Sequence, residues 1–190
     1  MFVLVSGASG SGKSTIIEKV IEHYNGQMAL LPSSTSRKIR AGEIEGKNYY
    51  YLTAEEFEDA IIRGEFIEHQ KVFENGHYYG VSRIRYNDYS KRFPLLIKDV
   101  DVLGVEKIKG EKDIDSVSIY IDAGSDDIVR ERLTKRGDDP VDIEIRIKRK
   151  DFEDGFKDKY DYVVLNDDLS KATKETIEIV EKEFKKRRNK

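Results

Sequence analysis

The stretch FVLVSGASGSGKSTIIEKVIEHYNG, residues 2–26, carries three signals in a fixed order. Phe2 to Ser6 is a short apolar run that reads as a buried strand. Ile16, Ile17, Val20, Ile21 and Tyr24 recur at helical spacing up to Asn25-Gly26. Between them, Gly7-x4-Gly12-Lys13-Ser14 matches the P-loop pattern, and strand before with helix after is the context that pattern requires. Gly10 and Gly12 let backbone N–H groups turn toward phosphate oxygens, and the helix N-terminus adds a favourable dipole. Lys13 then reaches β- and γ-phosphates, and the Ser14 hydroxyl is placed to ligate Mg²⁺.

Working outward, similar apolar runs recur at 28–31, 94–97, 117–121 and 162–165, most of them followed by helical patterns. Five such strands separated by helices predict a mostly parallel sheet covered on both faces, an α/β fold. Residues 33–91 break this rhythm. They hold Tyr49-Tyr50-Tyr51, a Thr53-x-x-Glu56 capping box and an Asn75-Gly76 turn between extended segments, the signature of an inserted small lobe with some antiparallel sheet. Gly137 to Gly155 is dense in charge, starts with a glycine and the helix-excluding Pro140, and reads as a mobile cover. From Ser170 an amphipathic helix runs to Lys185-Lys186-Arg187-Arg188, a basic end that complements the helix dipole and stays solvated.

The chain has 190 residues, enough for one well-buried core with attachments and too few for two large domains. A formal net charge of −3 supplies no overall basic field, which argues against a protein that grips long nucleic acid. Cysteine is absent, so disulfides and thiolate metal sites are excluded. No apolar run approaches the ~20 residues needed to span a bilayer, and the first strand leaves no room for a leader, so a cytoplasmic location is expected.

A P-loop serves switches, motors, transporter ATPases and small-molecule kinases alike, so the rest of the chain must choose. Asp99 ends the run Leu95-Leu96-Ile97-Lys98, interrupted only by the lysine, and is placed to organise Mg²⁺. In SSTSRKIRAGEIEGKNYYYL, residues 33–52, Arg37 and Arg40 stand three apart in a glycine-containing loop followed by tyrosines. Two guanidiniums at that spacing can fork around one dianionic phosphate, with a tyrosine hydroxyl as a directed donor. An exposed charge pair is the equally weighted alternative.

The motifs GASGSGKST (7–15), STSRKIRAGEIEGKNY (34–49), GEFIE (64–68), GHYYG (76–80), DVDVLG (99–104), KRG (135–137) and YDYVVLNDDL (160–169) together resemble the guanylate kinase family over nearly the whole chain. The resemblance implies a P-loop three-layer α/β/α fold with a five-stranded parallel core sheet from 1–32, 92–136 and 156–190. It also implies an inserted α+β lobe for the monophosphate at 33–91 and a helical lid at 137–155. The implied activity is transfer of the ATP γ-phosphoryl group to GMP or dGMP with Mg²⁺ held near Ser14 and Asp99, by a monomer or homodimer with no nucleic-acid or membrane partner. Gly7, Ala8, Ser9, Gly10, Ser11, Gly12, Lys13, Ser14 and Thr15 would bind ATP, with Asn166 near its base. Ser34, Arg37, Arg40, Glu43, Tyr49 and Tyr79 would form the acceptor site, and Glu68 and Asp101 would accept from guanine N1–H and N2–H₂. Lys13, Arg37, Arg136 and Arg146 would carry the catalytic charge, the last two from the lid.

Two positions depart from the family pattern. Val81 stands where a Ser or Thr usually meets guanine O6, which shifts that contact to Ser82, a water or a backbone group. Leu103 stands where a glutamine is usual. Two other readings compete: a ribose 1,5-bisphosphate kinase of the same fold, suggested by GHYYGV, and a non-catalytic interaction module, against which the intact Gly12-Lys13-Ser14 argues.

Overall fold

The computed structural model describes residues 1–72 and 76–189. Its main sheet has five parallel strands: β1 (Phe2–Ser6), β2 (Met28–Leu30), β7 (Leu95–Asp99), β8 (Ser116–Asp122) and β9 (Tyr162–Leu165), in the order β2-β7-β1-β8-β9. β1 lies at the centre, every residue buried, as expected of a strand covered on both faces. The third run extends to Asp99, which carries the strand into the site.

Successive side chains of a strand point to opposite faces, and that period of two sorts the core. Val3, Val5, Leu95, Ile97, Ile119 and Ile121 pack with α1 (Lys13–His23) and α7 (Leu169–Arg188), through Ile16, Val20 and Val180 among others. Phe2, Leu4, Leu96 and Val100 face the other way, toward Ile67 and Val81 of the small lobe and Val105 and Ile108 of α4 (Val102–Gly110). Lys98 follows Leu96 at the same parity, so it points to the lobe side of the sheet.

The lobe is built on a second sheet of four strands, in the order β4 (Tyr49–Tyr51), β3 (Ser33–Thr35), β6 (Tyr78–Ser82), β5 (Phe66–Lys71). β6 is antiparallel to β3 and β5, whereas β3 and β4 are parallel. The capping box opens α2 (Ala54–Ile62): Thr53 Oγ1 accepts from Glu56 N at 3.1 Å and Glu56 Oε2 from Thr53 N at 2.7 Å. Of the expected Asn75-Gly76 turn, Asn75 lies outside the described residues. α3 (Arg83–Arg92) returns the chain to the main sheet.

Pro140 does not exclude helix here, contrary to its reading from the sequence. It is the first residue of α6 (Pro140–Asp154), where its missing N–H costs nothing, and Asp139 caps that end by accepting from Val141 N at 2.8 Å. Gly137 ends α5 (Asp126–Arg136) in the left-handed region, φ 88°, so the charged stretch is a helix–turn–helix. Val129 and Leu133 of α5 pack on Ile143 and Ile147 of α6. The basic tail is also not wholly solvated: Arg187 bonds Asp115 at 2.6 Å and the Ser116 carbonyl, tying α7 to the start of β8.

Candidate active site

The loop of residues 7–12 passes from β1 into α1. Gly12 takes φ 84°, and a Cβ there would fall 2.3 Å from Asn166 Nδ2, so position 12 admits only glycine on both counts. Asn166 is buried behind the loop and donates Nδ2–H to the Ser11 carbonyl at 2.6 Å. Arg132, which the motif reading missed, donates to the carbonyls of Gly10 at 3.3 Å and Asn166 at 2.8 Å. Side chains from α5 and from the residue after β9 thus brace the loop from behind, which keeps its inward face for a ligand. Ala8 and Ser11 are buried, while Ser14 and Thr15 stand exposed in the first turn of α1.

Arg136 ends α5 and Arg146 lies on α6, and both reach the loop: Arg146 Nη1 donates to Ser9 Oγ at 2.9 Å and Arg136 Nη2 at 3.5 Å. Asp138, at the turn between the two helices, binds both guanidiniums, and Arg136 above all holds its carboxyl below the usual range. One carboxylate therefore sets two cations over the loop. Arg149, a further turn along α6, joins them, paired with Glu153 at 3.1 Å. Arg146, Arg149 and Glu153 line a cavity of about 580 Å³ with Gly7, Ser9 and Lys13.

Two further cavities follow, each sharing wall residues with the one before. A middle one of about 230 Å³ shares Gly7, Lys13 and Glu153 with the first and adds Ser6, Asp99 and Asp101. A third of about 340 Å³ shares Asp99 and Asp101 and adds Ser33, Tyr49, Glu68, Gln70, Tyr79 and Lys98. The run leads from the P-loop to the small lobe past the end of β7.

At the lobe end Arg37 is only 7 % exposed, and Glu43 holds its fork in a two-point pair at 2.7 and 2.9 Å. Tyr51 Oη–H and Arg40 N–H donate to the same carboxylate at 2.9 and 2.8 Å, and these bonds, led by Arg37, pull Glu43 down to about 2. The guanidinium lies 5.3 Å from the Tyr49 ring, and Tyr49 meets Tyr79 edge to face at 6.0 Å. Arg40 is exposed, and its side chain makes no ion pair among the described residues. Arg37, Glu43, Tyr49 and Tyr79 are brought together. Ser34 is not: it is buried within the small sheet, and Ser33, its neighbour on the opposite face of β3, lines the cavity. Successive strand residues face opposite ways, so Ser33 and not Ser34 is the serine of β3 that faces this cavity.

Two carboxylates converge at the other side. Asp101 caps α4, its Oδ1 accepting from Gly104 N at 2.7 Å. Glu68 comes from β5. A Cβ built on Gly104 would lie 3.2 Å from Asp101 Oδ1 and 3.3 Å from Glu68 Oε2, so the glycine keeps this corner open. Burial, with Asp101 as the nearby like charge, pushes Glu68 up to about 7. Val81, by contrast, is fully buried in the core, and Ser82 Oγ caps α3 by accepting from Arg85 N.

For a metal, Ser14 in the first turn of α1 and Asp99 at the end of β7 are hard oxygen donors, Asp99 sharing the middle cavity with Lys13. No group of three or more His, Cys, Asp or Glu gathers to hold an ion among the described residues. That donor set fits Mg²⁺, which keeps its waters and is bound by one or two side chains together with substrate phosphates.

A phosphate-cradling loop at a sheet's C-terminal edge, overhung by arginines and joined to a second anion-binding lobe, defines a P-loop phosphotransferase. The guanylate kinase family model matches residues 1–183. A guanylate kinase of Bacteroides thetaiotaomicron is 38 % identical over 96 % of this chain and 88 % of its own length. One of Chlorobium luteolum is 35 % identical over 92 % and 88 %. The crystal structure of guanylate kinase from Anaplasma phagocytophilum superposes with a TM-score of 0.73 at 30 % identity, covering 96 % of this chain and 85 % of that one. The chain belongs to the guanylate kinase family, and with that to the nucleoside monophosphate kinases. No helix among the described residues is long and apolar enough to cross a membrane.

Proposed function

We propose that this chain transfers the γ-phosphoryl group of ATP to GMP or dGMP, with Mg²⁺, as an enzyme of the cytoplasmic nucleotide pool. The observation that carries the reading is the series of three adjoining cavities from the P-loop past Asp99 to Glu68, each sharing wall residues with the next. ATP phosphates occupy the first, the transferred group passes through the middle one, and the acceptor fills the third. Residues 1–32, 92–136 and 156–190 act as the core, 33–91 as the acceptor lobe and 137–155 as the lid.

The acceptor phosphate is already anionic near pH 7, so no general base is needed. Catalysis rests on alignment and charge neutralisation. Lys13 meets the β- and γ-phosphates, Arg136 and Arg146 close over the transferred group, and Arg37, Arg40, Tyr49 and Tyr79 hold the acceptor phosphate. Ser14 and Asp99 would hold Mg²⁺, which when bound would supply further charge neutralisation for the phosphates. Glu68 and Asp101 accept from the guanine N1–H and N2–H₂. AMP turns a lone pair toward one carboxylate and leaves the other unpaired, and two such defects amount to at least ~100-fold in kcat/KM.

Turnover of GMP, dGMP, AMP, CMP, UMP and ribose 1,5-bisphosphate with ATP and Mg²⁺ tests this. GMP should lead AMP by at least ~100-fold. Preference for the sugar bisphosphate would overturn the guanine assignment, and turnover of none of them would leave an interaction module.

A further inference from the structure

Lys98 is a lysine on a core strand, 9 % exposed, at the parity of β7 that faces the lobe. It lines the third cavity beside Glu68, and among the described residues its ammonium makes no hydrogen bond and no ion pair. The charges that act on it are those of Asp99 and Glu68. A buried cation without a directed partner is costly, and a core strand keeps one at a loss unless something else completes its contacts.

The cavity supplies the geometry for that completion. Asp101, Glu68 and Lys98 all line it, and Glu68 interacts with both, with a like charge in Asp101 and an opposite one in Lys98. Together they offer two acceptors and one donor to a single occupant. The Watson–Crick edge of guanine presents the complement: the N2 amine and N1–H as donors, then O6 as acceptor. Of the two positions that follow the Tyr-Gly pair, Val81 is buried in the core and carries no donor, and Ser82 sits at the cap of α3, accepting from Arg85 N, outside the lining of this cavity. We propose that Lys98 donates a charged hydrogen bond to O6 of the acceptor base and so sets specificity for 6-oxopurines. The proposal rests on the guanine reading above. An adenine, with an amine in place of O6, would bring donor against donor at the same point.

The test compares wild type with Lys98→Met, Lys98→Gln and Gln70→Ala on GMP, IMP, 7-deaza-GMP and 2-aminopurine riboside monophosphate, which lacks O6. Loss of a charge-assisted bond predicts that Lys98→Met raises the KM for GMP, IMP and 7-deaza-GMP alike by at least ~10-fold. The KM for ATP and the use of the 2-aminopurine nucleotide should stay within about twofold. Lys98→Gln, which keeps a neutral donor, should recover part of the loss, and Lys98→Met should melt no lower than wild type because a buried charge is removed. An equal loss on the 2-aminopurine nucleotide, a loss that spares 7-deaza-GMP, or discrimination that follows Gln70 would overturn the proposal. So would unfolding of both Lys98 variants, which would make the lysine structural. If wild type prefers GMP and Lys98→Met changes nothing, Lys98 alone is misassigned. If wild type does not prefer GMP, the guanine reading fails and this one with it.

Discussion

The two ends of the cavity run are built differently. The P-loop end is one continuous segment, residues 7–15, whose backbone supplies the cradle, with Arg132 and Asn166 only bracing it from behind. The lobe end is assembled from side chains on β3, β4, β5, β6 and β7 and the loop of residues 36–48, with Arg37 already locked to Glu43 before any acceptor arrives. On the proposed reading, phosphate is held at one end by local conformation and at the other by convergence of distant residues. Damage should therefore be confined to chemistry at the first end and spread to stability at the second.

The largest effect expected is at the first end. Lys13→Met removes the charge facing the β- and γ-phosphates while the loop backbone stays, and should cut kcat by at least ~100-fold with an unchanged circular dichroism spectrum and melting temperature. A matching loss of stability would erase the contrast.

Arg37 and Arg40 test the second end against each other. Either change to Met should lower acceptor kcat/KM by at least ~10-fold with the KM for ATP little altered. Arg37→Met should also lower the melting temperature by about 3 °C or more, since Glu43 loses its two-point partner. Exposed Arg40 should cost no stability. Equal melting of the two variants in calorimetry would show that the Arg37–Glu43 pair does not hold the lobe.

Glu68 adds a pH signature to that end. Its carboxyl is raised to about 7, so between its ordinary range near 4.5 and 7 the folded state binds more protons than the unfolded chain. Its contribution to stability therefore falls as pH rises through that window. Guanine N1–H needs the ionised carboxylate, so the KM for GMP should climb below pH 7, by up to about tenfold per unit. The acceptor phosphate titrates in the same region, which makes Glu68→Gln the control: it should remove the carboxylate's step, leave the phosphate's, and narrow the gap between GMP and AMP. An identical pH profile in both proteins would place the titration elsewhere.

The smallest effect should come from the brace. Asn166→Ala leaves the Ser11 carbonyl without its donor and should raise the KM for ATP by about threefold to tenfold, with the KM for GMP unmoved. A shift in the acceptor constant instead would couple the two ends through β9.

The parallel sheet, the P-loop, the capping box at Thr53 and the existence of a separate lobe were all legible in the linear chain, because each follows from residues within one turn or one strand of each other. Pro140 was misread because proline is tolerated at the first turn of a helix and excluded from its interior, and only the Asp139 cap tells which applies. Ser33 and Ser34 differ by one place, and a three-residue strand carries too little alternation to say which side faces the cavity. Lys98 was visible as an interruption of an apolar run, yet its meaning needed the opposite wall: Glu68 lies 30 residues earlier and arrives from another sheet. What the chain determines alone is whatever short-range backbone geometry encodes, here the phosphate cradle and the layered α/β core. Which buried charges meet across the acceptor pocket was decided by tertiary structure, since the energy of a buried charge depends on neighbours that chain order does not place.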